Sequence, residues 1–329
     1  MQKPLRRSLA TLIALALGAA APITAARAAD YPTRPVTVVV PYAPGGQTDA
    51  FARIMAEALR ESLGQPVIVD NKPGAGTMIG SEYVARAAPD GYTILVATPG
   101  VVVAPSLYNS TKYDVVKDFQ PITLACSILM VLSVNPNKMP VKNVGGFISA
   151  LKANPDKYFY GTAGAGSSPH LIGEWFKKLT STQMTHVAFK GSAPAVTALL
   201  SGQIDLMFDA YASQAELAKS GGIKILAVTS DQRSDLIPDV PTLKESGVTD
   251  LVVLPWTGVI APKGLDPAVT ARLDSAIRNA LTKPSVAEKL AKIGLDCKKP
   301  MDSAQFKAFL APDVQMWKNM LSISGAKLE

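Results

Sequence analysis

Two hydrophobic rhythms alternate along the chain. Short β-rich runs, "VTVVVP" (36–41), "VIVD" (67–70), "TILVA" (93–97), "YFYGTA" (158–163), "THVAF" (185–189), "IDLMFD" (204–209) and "IKILAV" (223–228), are separated by stretches of helical period. In residues 47–64, Phe51, Ile54, Met55, Ala58 and Leu59 share one helix face, Arg53, Glu57, Arg60 and Glu61 face water, and Gly64 supplies a left-handed cap. Strands alternating with helices predict parallel pairing through crossover helices, an α/β fold. The continuous apolar character of 36–40 predicts a sheet covered on both faces.

Two apolar segments, 119–136 and 251–262, are too long for ordinary strands and are expected to cross between lobes. That gives one lobe from residues 30–124 and 257–329, a second from 125–256, and a hinge between them. Each lobe is expected to be a mostly parallel sheet flanked by helices. The tail predicts a helix opened by Asp266 and Pro267, then a last helix with Phe306, Phe309, Leu310, Trp317 and Leu321 on its apolar face. This last helix is expected to pack back on the first lobe.

Residues 1–28 stand apart. A basic start, an apolar run at 9–21 too short to span a bilayer, and Ala26-Arg27-Ala28 read as a cleavable export signal. The formal charge of +7 is partly a leader effect, because removing Lys3, Arg6, Arg7 and Arg27 leaves 29 basic against 26 acidic residues. No basic face interleaved with aromatics supports nucleic-acid binding. Cys126 and Cys297 fit either one disulfide in an oxidising compartment or two buried thiols. Neither follows the leader as a lipid anchor would.

Candidate chemistry concentrates on glycine turns at strand ends. Gly45 and Gly46 precede a helix opened by Gln47 or Thr48; Thr162 to Ser168 form a second glycine loop, with Ser168 as N-cap and Pro169 at the first helical position; Ser192 caps a third helix that Gly202 closes. Helix starts with free N–H groups attract oxyanions. No P-loop or dinucleotide fingerprint is present, and Asp49 opposes a phosphate, so a small carboxylate fits better. Thr48, Thr98, Thr162, Ser167 and Ser168 are candidate donors, Lys190 is the single nearby cation, and Asp209 is an acceptor at a strand end. Catalytic patterns are weak: Ser167 or Ser168 with His170 is the one hydrolase alternative, without a GxSxG elbow. His170 is expected to tie the glycine loop to its helix, and Glu174 to pair with Lys178.

"YPTRPVTVVVPYAPGGQTDAFAR", "QPVIVDNKPGAGTMIGSEYVARAAPDGYTILVAT", "YGTAGAGSSPHL", "FKGSAPAVTALLSGQIDLMFD" and "LAVTSDQRSDLIPDVPTLKESG" together resemble the Bug or TctC solute receptors of tripartite tricarboxylate transporters. The resemblance spans the chain after the leader. It implies a two-lobed periplasmic binding protein of the Venus-flytrap kind that captures a small carboxylate and presents it to membrane permease subunits, as a monomer without catalysis, cofactor, metal, nucleic acid or membrane insertion. By position, the loop Tyr42, Ala43, Pro44, Gly45, Gly46, Thr48, Asp49 and the loop Thr162, Ala163, Gly164, Ser167, Ser168 hold one carboxylate from opposite lobes. Thr98, Lys190, Gly191 and Asp209 read the far end. Tyr42 stands where the family pattern more often has Phe. A sensory receptor handing its closed form to a signalling partner is an alternative use of the same fold.

Overall fold

Val36, Val38 and Val40 point into one apolar cluster and Val39 into another, so the first strand is buried on both faces and reads as an unbroken apolar run. In the computed structural model, residues 31–324 are described, except Thr111, Asp156 and Lys190; the expected export signal lies outside them. The first part of the chain runs β1 (Val36–Val40), α1 (Gln47–Leu63), β2 (Val67–Asn71), α2 (Met78–Ala85), β3 (Thr93–Ala97), α3 (Pro99–Leu107) and β4 (Phe119–Ser127). The middle runs β5 (Met130–Val134), α4 (Val144–Ala153), β6 (Phe159–Thr162), α5 (Ser168–Thr180), β7 (Thr185–Ala188), α6 (Ser192–Ser201), β8 (Leu206–Ala210), α7 (Ala215–Lys219) and β9 (Lys224–Val228). The tail adds β10 (Trp256–Pro262), α8 (Pro267–Leu281), α9 (Pro284–Lys292) and α10 (Ser303–Ser324). None of these helices is long and apolar enough to cross a membrane.

The strands form two sheets of five, in the orders β2-β1-β3-β10-β4 and β7-β6-β8-β5-β9. In each, four strands point the same way and one runs against them: β10 in the first, β5 in the second. Both reversed strands are the ones entered directly after the chain changes sheet. The first change occurs between Ser127 and Met130 and the second just before Trp256, where Ile128 N–H donates to the carbonyl of Pro255 at 2.7 Å. The two crossings are therefore bonded to each other.

Local signals act as the sequence predicts at several caps. Gly64 and Gly202 end α1 and α6 in the left-handed region, and Asp266 accepts from Ala268 N–H at the start of α8. Two caps sit one residue earlier than expected: Ser167 precedes α5 with Pro169 in its second position, and Gly191 precedes α6. Helix α10 also departs from expectation. It packs against α3 and β4 of the first sheet and against α5 of the second, because its apolar stripe is long enough to serve both. One continuous apolar cluster consequently runs from Val101 and Val102 through Trp317 and Met320 to Leu171 and Phe176.

Cys126 and Cys297 form a disulfide, with Cα atoms 4.1 Å apart. It anchors residues 296–301 beside β4, where Ser127 and Asp296 exchange backbone hydrogen bonds at 2.8 Å each and Leu124 pairs with Met301.

Candidate ligand-binding cleft

The loops that leave the carboxyl ends of β1, β3 and β6 each run straight into a helix, and all three contribute to one cleft of about 600 Å³ between the sheets. This is where ligands bind in open α/β sheets. From the first sheet come Tyr42, Gln47 and Thr48, the start of α3 at Thr98, Pro99 and Gly100, and its flank at Val103 and Leu107; from the second come residues 163–168 and Leu171. Ile128, Pro255, Trp256 and Thr257 around the crossings, Trp317 of α10, and Gly76, Ala104 and Tyr108 complete the lining.

In the first loop Gly45 adopts φ +91°, a conformation that strains residues with a side chain. Its N–H donates to Asp49 Oδ2 at 2.9 Å, and the same carboxylate accepts from Arg53 Nε and Asn71 Nδ2, also at 2.9 Å. The Arg53 hydrogen bond, helped by those of Gly45 and Asn71, holds the Asp49 carboxyl down at about 2. Asp49 is thus turned back as a buried brace and does not line the cleft. Ala43, Pro44, Gly45 and Gly46 form the exposed tip of the loop, outside the lining, whereas Tyr42 and Thr48 face inward. Gln47 opens α1 and ties it to α9 through a 2.7 Å bond to the carbonyl of Ile293.

The second loop is braced from beneath by two imidazoles. Gly166 N–H donates to His170 Nδ1 at 3.0 Å, His170 stacks on His186 with ring centroids 4.0 Å apart, and His186 Nε2 bonds Thr162 Oγ1 at 2.7 Å. Burial lowers the pKa of His170, and burial with the neighbouring His170 pushes His186 down to about 4. Both rings are therefore neutral at ordinary pH, and His170 does tie the loop to its helix. Ser167 spends its hydroxyl on the carbonyl of Gly164 at 2.6 Å, so it does not meet His170. Glu174 pairs with Lys177, not Lys178; both lysines lie within one turn, and the i+3 partner also leaves Glu174 in reach of the Tyr160 hydroxyl.

Thr162 is buried below the loop, while Ala163, Gly164, Ser167 and Ser168 line the cleft. Gly191 stands behind them, its N–H bonded to Ala163 O at 3.1 Å. Asp209 is buried there too, accepting from Ser192 Oγ at 3.1 Å and Ser213 Oγ at 2.9 Å, and burial raises its pKa. Neither Gly191 nor Asp209 reaches the lining. Lys190 lies outside the described residues.

Helix α3 is absent from the sequence expectations, and with it Gly100, Val103 and Leu107. The available signal was the pair Thr98-Pro99, an N-cap followed by proline at the first helical position. Thr98 Oγ1 bonds the Tyr42 hydroxyl at 2.7 Å, and burial raises the pKa of that phenol, which stays neutral. Trp256 and Trp317 were also missed as lining. Their indole N–H groups donate to Asp313 at 2.8 and 3.2 Å. Among the described residues, the hydroxyls of Thr48 and Ser168, one on each of two facing helix starts, have no hydrogen-bond partner; the first N–H groups of α1 and α5 lie beside them.

Comparison with known proteins gives a consistent result. The family model described as tripartite tricarboxylate transporter family receptor matches residues 51–325. Protein BugT of Bordetella pertussis is 36% identical over 316 residues, covering 95% of each chain. The solved structure of Rhodopseudomonas palustris Rpa4515 with adipate is 33% identical, with a TM-score of 0.74 over 91% of this chain and 100% of that one. MatC from the same organism with bound malate is 31% identical, with a TM-score of 0.72 over 88% and 100% of the two chains.

Proposed function

The chain belongs to the tripartite tricarboxylate transporter receptor family, and from that premise we propose that it is a periplasmic receptor whose cleft captures one small organic carboxylate for delivery to membrane permease subunits. The observation that carries this reading is the pair of helix starts at Thr48 and Ser168. They come from different sheets, each offers free N–H groups and a hydroxyl with no partner among the described residues, and both line the same cleft. A carboxylate between them accepts from both halves only when the halves are together, so binding draws the equilibrium toward the closed form. Relatives solved with adipate and malate support the same ligand chemistry.

The lobes of this receptor are residues 30–124 with 257–329, and 125–256, moving about the paired crossings at Ile128 and Pro255, and it acts as a monomer without turnover. Its leader, residues 1–28, directs export. With Ser167 bonded to Gly164 and His170 to Gly166, the cleft is suited to holding a ligand and not to attacking one. Titration calorimetry of the exported chain against small carboxylates and their neutral amides tests the reading. The expected result is one-to-one binding of a carboxylate at micromolar or tighter affinity and none of its amide; equal binding of the amide, or no binding of any acid, overturns it.

A further inference from the structure

We infer that His170 and His186 are positioning residues for the ligand: the stacked imidazoles hold the glycine loop of the second sheet ready to donate to a carboxylate, and a proton taken up at His170 lets the ligand go. The inference rests on the carboxylate reading above and adds what keeps that half of the site in shape and what undoes it.

A loop that binds through backbone N–H groups has to be held still. Gly164 at φ +142° and Gly166 at φ +74° sit in regions that other residues rarely adopt, so the loop has much conformational freedom to lose. Each of these glycines is fixed by one of the rings. Gly166 N–H donates directly to His170 Nδ1 at 3.0 Å, and Gly164 N–H reaches His186 through the Thr162 hydroxyl, 3.3 Å from the amide and 2.7 Å from Nε2. The two rings lie 14° from parallel with centroids 4.0 Å apart, so a shift of one disturbs the other. Ala163 to Ser168 all line the cleft and lie between Thr162 and His170, the two points of attachment.

Because Gly166 donates to it, His170 Nδ1 carries no proton, and the hydrogen of the neutral ring is on Nε2. A further proton has to enter at Nδ1, which then meets the Gly166 N–H donor to donor and gives up the bond. Glu174 and Lys177 of α5 are the charged side chains that act on both rings, and Glu174 is engaged by Lys177 and by the Tyr160 hydroxyl of β6. Tyr160 itself lies 5.0 Å from His186, ring to ring. On the other elements packed against α5, Asp209 of β8 is turned to Ser192 of α6, and on α10 Asp313 is committed to two indoles while Lys307 and Lys318 are exposed. Burial keeps both imidazoles neutral near pH 7, so the braced loop is the resting form and acid is what loosens it.

Calorimetry of the exported chain with the tightest binder among malate, citrate, adipate, glutamate and benzoate tests the inference, with folding checked by melting at each pH. At pH 7.5, His170→Ala removes the acceptor and is expected to bind about tenfold or more weakly; His170→Asn, whose Oδ1 takes the place of Nδ1, is expected within about threefold of the parent. Between pH 7.5 and 4, the parent is expected to lose about threefold or more in affinity relative to His170→Asn, as the fraction with a braced loop falls. The titration of the acid itself cancels in that ratio. His186→Gln, which keeps a nitrogen at the Thr162 hydroxyl and cannot be charged, repeats the acid comparison on the other ring. A histidine that only supports the fold lowers the melting temperature of the Ala variant and leaves its affinity at the parent's value; that result overturns the inference, as does parent affinity that rises on acidification relative to His170→Asn. Either outcome leaves the carboxylate reading intact, whereas failure of all five acids to bind the parent overturns both.

Discussion

The hydroxyl of Tyr42 occupies the space that a Cβ on residue 100 would need. Glycine at the second position of α3 is therefore a requirement of the tyrosine, not of the backbone. Gly100→Ala should displace the phenol from Thr98, narrow the cleft and destabilise the protein by about 1–3 kcal/mol. Adding Tyr42→Phe should restore much of that loss, since the colliding atom is gone. Melting temperatures and ligand affinities of the two single variants and the double variant check this; a double variant no better than Gly100→Ala alone contradicts the steric account.

Thr48→Val and Ser168→Ala each remove one hydroxyl at a proposed carboxylate contact. Neither hydroxyl has a partner among the described residues, so stability should change by less than about 0.5 kcal/mol. Hydrogen bonds to charged groups contribute roughly 1.5–3 kcal/mol each, so affinity should fall about ten- to a hundredfold. Calorimetry beside a denaturant titration separates the two effects, and unchanged affinity in both variants would move the carboxylate elsewhere.

Asp313 gives a pH dependence of definite sign. Burial pushes its carboxyl up to about 7, although the indole N–H groups of Trp256 and Trp317 favour the ionised form. The unfolded chain releases this proton near pH 3.9, roughly the ordinary Asp value. Between these pH values the folded protein holds a proton that the unfolded chain does not, so stability is fully present below about 4 and declines as pH rises to about 7, by at most about 4 kcal/mol. His186, lowered to about 4, acts in the opposite direction between pH 4 and roughly 6.5. Comparing Asp313→Asn with the parent cancels the histidine. The variant should gain in relative stability as pH goes from 4 to 8, and parallel stability curves would refute a protonated Asp313.

The disulfide between Cys126 and Cys297 closes a sequence separation of 171 residues. Replacing both cysteines by serine should cost about 2–5 kcal/mol through the freed unfolded chain and the loosened segment beside β4. Melting of the double variant measures it. Ligand affinity should change much less, because neither cysteine lines the cleft.

Strands were legible because β-branched runs bounded by turn residues have few other uses, and the buried face of α1 followed its period, with Phe51, Met55, Ala58 and Leu59 inside. Helix α3 was not legible. Val101 to Val103 compose like a strand, and only the Thr98-Pro99 start outweighs them. Adjacent serines left the cap of α5 open to a one-residue error, and adjacent lysines did the same for the partner of Glu174. Asp49 was misread as facing a ligand because its actual partners include Asn71, 22 residues away and placed by β2. Periodicity showed which side of α10 is apolar but not that two neighbours share it, since a stripe records burial and not the identity of what covers it.

The placement of β10 between β3 and β4 governs the order in which the molecule can be assembled. A nascent chain that stops short of residue 256 has β4 but no ladder to receive it, and both halves also wait for α10. The second sheet has all its strands by Val228, so the pairing of β4 and the joining of the two halves are the steps that wait for the last segments to emerge.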